Sequence, residues 1–164
     1  MKNLSNLLLV AGVIITALKP KLKAGDRAKA KNKVDELMDK CMDAWNAKDA
    51  GTFTSYLADG GQFYGSDPSE TWDKETFSAL IIPLFADPSK HYGFTLLHRE
   101  VLVSTQGNSA LVLEQFTMKE IIPNIIWRSV THVAKTGDHW LIDFMCRGFI
   151  FKNEDVEKVS KALE

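Results

Sequence analysis

Three side chains in the second half of the chain have the chemistry of a reactive cluster: the carboxylate of Glu114, the guanidinium of Arg128 and the imidazole of His132. They fall in segments of alternating apolar and polar residues. Successive side chains on a strand point to opposite faces, so a pairing register sorts such segments into two sets. If the turn at Pro123-Asn124 pairs Glu114 with His132, then Val112, Glu114, Phe116 and Met118 share a face with Arg128, Val130, His132 and Ala134. A three-residue turn at Thr136-Gly137-Asp138 carries that face into Trp140, Ile142, Phe144 and Cys146, all apolar as an inner face requires. Three ionisable groups there are costly unless they pair or meet a solvated cavity. On this register they form the polar floor of a ligand pocket walled by Trp45, Tyr64, Trp72 and Phe144. Glu114 is then a candidate general base if burial raises its pKa, an effect that a charged His132 or Arg128 opposes. His132 is the alternative base, with Tyr64 or Arg128 steadying an oxyanion. The same three residues can equally form an internal ion pair without a ligand, or face water if the register shifts by one. His98, Tyr56 and Asp67 are weaker candidates, and Asp67 before Pro68 is ordinary turn chemistry.

The elements that position these residues follow from periodicity. Val34, Leu37, Met38, Cys41, Met42 and Trp45 recur at three and four, which predicts a helix over residues 28–47. A short second helix covers 49–57 and stops at Gly60-Gly61; Phe63 and Tyr64 make a brief strand; Asp73 caps a third helix that Pro83 kinks or shortens. Four long strands follow, over 94–104, 109–120, 126–135 and 140–151, joined by turns at Gln106-Gly107-Asn108, Ile122-Pro123-Asn124 and Thr136-Gly137-Asp138, so the sheet is antiparallel. A short closing helix occupies 153–163. Helices first and a curved meander afterwards bury their apolar faces by the sheet wrapping the helices, an α+β architecture.

Trp45-Asn46-Ala47-Lys48-Asp49, then Tyr56-Leu57-Ala58-Asp59, then Phe63-Tyr64-Gly65-Ser66-Asp67-Pro68-Ser69-Glu70-Thr71-Trp72 resemble the SnoaL-like branch of the nuclear transport factor 2-like superfamily. Its late pattern of a strand Arg, a Lys-containing hairpin and a Trp opening the final strand is matched by Arg128, Lys135 and Trp140. The resemblance spans roughly residues 30–152. It implies a cone-shaped fold, N-terminal helices packed in a curved antiparallel sheet, and a homodimer formed through that sheet. Two positions depart from the pattern: Gly60 stands where an Asp is usual, and Cys146 and Gly148 stand where a polar His and Ser often end the last strand. The fold hosts both binding domains and enzymes. The expected function is a dimeric small-molecule-binding domain for an apolar ligand with a polar end; the alternative is a cofactor-free isomerase, dehydratase or cyclase using a pocket carboxylate or His as general base.

Composition bounds the rest. The chain has 164 residues, 45% of them hydrophobic and 25% charged, which suits one domain over residues 25–164. The net charge of -1 conceals an asymmetry: residues 1–33 carry eight Lys/Arg against Asp26, and the remainder carries twelve against twenty Asp/Glu. The body is acidic, which argues against a nucleic-acid partner. The apolar run at 7–18 behind Lys2 is too short to span a bilayer and fits a signal-peptide core, making residues 1–24 an export segment and the cell envelope or periplasm the expected location. The basic residues from Lys19 to Lys33 favour the alternative, a cytoplasmic protein. Cys41 and Cys146 are expected as buried free thiols, a disulfide being the alternative. The four His residues show no ligand spacing, and no phosphate loop or nucleophile elbow is present, so neither a metal nor a cofactor is expected.

Overall fold

Helix α1 runs Ala24–Asn46 in the computed structural model, which describes residues 22–164; the run at 7–18, and with it the export signal, lies outside the described residues. Its buried positions Ala30, Val34, Leu37, Met38, Cys41, Ala44 and Trp45 form one stripe facing the core. The helix stops because Lys48 adopts left-handed backbone (φ 58°) and the amides of Ala47, Lys48 and Asp49 turn back onto the carbonyls of Asp43, Trp45 and Ala44. Asp49 then caps α2 (Ala50–Ser55) by accepting the Thr52 amide at 2.9 Å. The Lys-Asp pair thus ends one helix and begins the next.

Strand β1 (Leu57–Tyr64) follows at once, which corrects the expected helix stop at Gly60-Gly61: α2 closes at Ser55 and the glycines lie inside the strand. Gly60 has φ 75°, and a Cβ on Gly61 would sit 3.0 Å from the Ala58 carbonyl oxygen and 3.2 Å from that of Asp143. The pair forms an irregularity where β1 passes the last strand, a place only glycine fits. Strand β2 (Thr71–Asp73) leads into α3 (Lys74–Ala86), which Asp73 caps by accepting the Thr76 amide at 2.8 Å; Pro83 sits near its end without stopping it.

That cap should appear in the acid limb of stability. The Thr76 amide, and then its hydroxyl, hold the Asp73 carboxyl below its ordinary value. A lowered folded-state pKa gives a contribution that is full above the unfolded value of about 3.9 and is lost as pH falls through the folded value. The urea midpoint of the parent should therefore drop more steeply than that of Asp73→Asn between about pH 5 and pH 2; parallel profiles would refute the cap's role.

Strands β3 (Thr95–Val103), β4 (Ser109–Thr117), β5 (Ile126–Thr136) and β6 (His139–Ile150) form an antiparallel meander, and the six strands order as β2-β1-β6-β5-β4-β3. One pairing corrects the wholly antiparallel expectation: β1 runs parallel to β6. A 3-10 turn (Asn153–Asp155) and helix α4 (Val156–Ala162) close the chain. The concave face of the curved sheet holds α1 and α3.

The register also differs from the sequence expectation. Glu114 lies opposite Ser129, and His132 lies opposite Leu111. The loop between β4 and β5 is long, with Ile121 and Ile122 both donating to the Met118 carbonyl and Asn124 at φ 67°. It displaces the pairing by three residues, an odd number, so β5 turns Trp127, Ser129, Thr131 and Val133 inward and Arg128, Val130 and His132 outward. The turn after β5 has two residues, since Thr136 pairs with His139. This second displacement cancels the first, and Trp140 and Ile142 point inward as expected. Asp143 then bulges out of the ladder between the Val133–Ile142 and His132–Phe144 pairs. Past the bulge the faces exchange: Phe144 and Cys146 go outward, Met145 and Arg147 inward.

Candidate functional site

A cavity of about 180 Å³ opens where the end of α1, the β1–β2 turn and α3 meet β5 and β6. Its walls include Trp45, Phe63, Trp72, Phe77, Ile81 and Trp127, with Met118 and Ile121 from the long β4–β5 loop and Met145 and Arg147 from β6. The aromatic side chains fix one another. Trp45 meets Phe53 and Phe85 edge-on at 5.1 and 5.0 Å between ring centroids, and Phe77 stacks between Phe63 and Trp72 at 5.3 Å from each. The indole of Trp45 donates to the Tyr92 carbonyl at 2.7 Å. Asn46 exchanges two hydrogen bonds with the backbone of Phe94, tying the end of α1 to the segment leading into β3.

The family model for the SnoaL-like domain matches residues 34–145, more than half of the chain and every residue named in the cavity wall except Arg147. The chain belongs to the SnoaL-like domain family. Its fold is similar to that of a nuclear transport factor 2-like protein of unknown function from Pseudomonas putida (TM-score 0.64, 16% identity, covering 77% of this chain and 91% of that one). It is also similar to a cystatin-like fold protein from Burkholderia xenovorans (TM-score 0.62, 18% identity, covering 76% and 94%) and a nuclear transport factor 2-like protein of unknown function from Shewanella oneidensis (TM-score 0.61, 13% identity, covering 71% and 97%). At these identities the likeness is one of fold. Comparison with curated protein sequences returns no match.

In this SnoaL-like domain the sequence-derived cluster does not assemble. Trp45, Tyr64 and Trp72 border the cavity, although the Tyr64 ring packs on Phe144, at 5.7 Å, on the outer side of the sheet. Glu114 points inward and is 5% exposed, but it borders a void of only about 10 Å³. Its Oε1 accepts Arg99 Nε at 2.8 Å, its Oε2 accepts the Ser129 hydroxyl at 3.3 Å, and Arg99 reaches on to Asp39 at 2.6 Å. That is the internal ion pair named as an alternative, with Arg99 in place of Arg128. Arg128 is exposed on the outer face. His132 lies there too, its Nδ1 2.5 Å from Asp143 Oδ1, beside Phe144. Glu114 is therefore separated from Arg128 and His132 by the thickness of the sheet.

Among the weaker candidates, His98 is exposed, and Asp67 closes its turn by accepting the amide and hydroxyl of Ser69. The cysteines part company as well. Cys41 is buried, and its burial pushes the thiol up to about 12, whereas Cys146, expected inside, is exposed by the bulge. Among the described residues no group of three or more His, Cys, Asp or Glu side chains is placed to hold a metal ion. No helix among them is long and apolar enough to cross a membrane.

The residue that sequence reasoning missed is Arg147. It borders both the cavity and the smaller void, and its guanidinium carbon lies 4.8 Å from the centroid of the Trp45 ring. Burial pulls it below the ordinary guanidinium value, an effect that Cys41 and Glu114 partly offset, but an arginine so placed stays charged near neutrality. The available signal was a lone Arg in the apolar run Phe144-Met145-Cys146-Arg147-Gly148-Phe149; the bulge at Asp143, which decides its face, has no signature in those residues.

Proposed function

We propose that this SnoaL-like domain binds a small apolar molecule with a polar end in the aromatic cavity. The observation that carries the reading is a cavity of about 180 Å³ walled by three tryptophans and bordered by the charged side chain of Arg147. Apolar walls with a few placed polar groups are the usual make-up of a ligand site. Binding is favoured over proton transfer by Glu114 because that carboxylate is occupied by Arg99 and Ser129 and does not border the cavity. The outer sheet face supports a second copy of the chain as partner: Leu102 and Leu111, paired across β3 and β4, are 47% and 43% exposed, and Leu97 on the same strand is 52% exposed. Trp127 and Val133, which alternate with Arg128, Val130, His132 and Ala134 and so fall on the outer face in the register expected from sequence, are instead buried in the core.

Trp45, Trp72 and Trp127 line the site, so their fluorescence reports on occupancy. Titration of the full chain with a panel of single-ring compounds, neutral and acidic, should show saturable changes for at least one member. Leu84→Trp, which puts bulk into the cavity wall, should abolish them. Saturation that survives the plug, or no response to any member, overturns the reading. Light scattering on the same sample should give twice the chain mass.

A further inference from the structure

We infer that the ligand of this cavity is a small organic monoanion, a carboxylate on a single-ring or short branched apolar body, with Arg147 as its counter-ion. The inference rests on the reading of the cavity as a binding site and names the class of molecule that fills it.

Arg147 Nε is shut off from solvent and has no hydrogen-bond partner. Leaving a buried donor of a charged group unmet is costly, so folds supply a partner or leave one to a ligand. The acid facing it, Glu114, is already engaged at both oxygens, by Arg99 and by Ser129. Arg99 in turn spends its other contacts on Asp39 and on the Asp35 carbonyl at the rim of α1. The interior therefore holds two guanidinium groups against one carboxylate. Cys41, the other titratable neighbour, is a neutral thiol at physiological pH and adds no negative charge. Glu70 borders the cavity at the β1–β2 turn, but its Oε2 accepts the Asp67 amide at 3.1 Å and it makes no ion pair with Arg147 among the described residues.

Geometry narrows the class. The Trp45 ring lies 4.8 Å from the guanidinium carbon, a contact that holds a planar cation in place, and the two terminal nitrogens, which unlike Nε are not shut off, form the edge that a second planar group can meet. A carboxylate matches that edge with two parallel hydrogen bonds, which a neutral carbonyl cannot do. The volume sets the body: a dry cavity of about 150 Å³ accepts benzene. About 180 Å³ among Trp72, Phe77, Ile81 and Trp127 thus takes one ring or its aliphatic equivalent, with the carboxylate at Arg147. A second negative charge on the ligand would lie among apolar walls or near Glu70.

The test is calorimetric titration of the full chain with phenylacetate and with its neutral isostere phenylacetamide. The acid should bind at least tenfold more tightly than the amide, and Arg147→Met should erase that preference. Equal affinity for the pair, or a preference that survives Arg147→Met, overturns the inference while leaving the cavity reading intact. Failure of both compounds to bind, together with every other single-ring probe, overturns the cavity reading and the inference with it. Should Arg147→Met not fold, the parent protein still decides the matter: the Arg147 Nε–H nitrogen resonance should shift with phenylacetate and stay in place with the amide, and the reverse or no difference rejects the pairing.

Discussion

Glu114→Gln is expected to cost the domain about 3–5 kcal/mol of stability, the range for removing one partner of a buried ion pair. The substitution keeps the shape of the side chain and removes only its charge. Arg99, whose side chain is 9% exposed, would be left with Asp39 at 2.6 Å and Asp35 at 4.0 Å, both at the partly exposed rim, and Arg147 would face an interior without any carboxylate. The penalty therefore comes from two guanidinium groups that lose their shared buried counter-charge and not from a lost contact alone. Urea unfolding followed by far-ultraviolet circular dichroism measures it. A loss below about 1 kcal/mol would show that solvent reaches the pair and that burial does not govern its strength. The double substitution Arg99→Met with Glu114→Leu should recover most of the loss, since a well-packed apolar pair commonly replaces a buried ion pair at little cost. Because Glu114 does not border the cavity but acts on Arg147 through its charge, folded Glu114→Gln should bind a carboxylate ligand no more weakly than the parent.

Trp45→Ala should be comparably damaging, by about 3–5 kcal/mol, as large aromatic deletions in cores are. Trp45 is 6% exposed and stands at the junction of three structures: the aromatic cluster of Phe53, Phe85 and Phe94, the Tyr92 carbonyl that its indole nitrogen satisfies, and the guanidinium of Arg147. Truncation removes all of these at once and merges the space with the existing cavity. For a chain of this size the thermal midpoint should fall by roughly 6–20 °C. Trp45→Phe separates the contributions: it keeps an aromatic body for Phe53 and Phe85 but leaves the Tyr92 carbonyl without its donor, a loss of about 1–3 kcal/mol. Equal losses for the two variants would assign the whole effect to the hydrogen bond and none to packing.

The two experiments probe different halves of one arrangement. Glu114 and Arg99 hold β3, β4 and α1 together below the cavity, and Trp45 with its neighbours forms the wall above it. Arg147 lies between them, in touch with Trp45 on one side and in the field of Glu114 on the other. Both oxygens of Glu114 are engaged, and the Arg147 guanidinium beside it is among the buried groups with a contact still to make, the one of them that is charged and borders the cavity.

Local chemistry alone determined most of the elements this chain forms and their order, while β2 (Thr71–Asp73) and the first half of β1 appeared only in the fold. The three-and-four spacing through Val34, Leu37, Met38, Cys41 and Trp45, the cap at Asp73 and the glycine turns at Gly107 and Gly137 are each legible because the forces that set them act within a few residues. The motif from Trp45 to Trp72 was enough to indicate the family, and its tryptophans do border the cavity. Which polar side chain points inward was decided only by tertiary structure. Side chains on a strand alternate with a period of two, so each one-residue irregularity reverses every face beyond it. The long β4–β5 loop reversed β5 and sent Arg128 and His132 outward, and the bulge at Asp143 reversed the end of β6, exchanging Phe144 for Met145 and Cys146 for Arg147. Loop length and bulge position are settled by how the curved sheet packs on α1 and α3, an energy shared among residues distant in sequence, and that is why the strands could be read from the chain while the charge at the cavity could not.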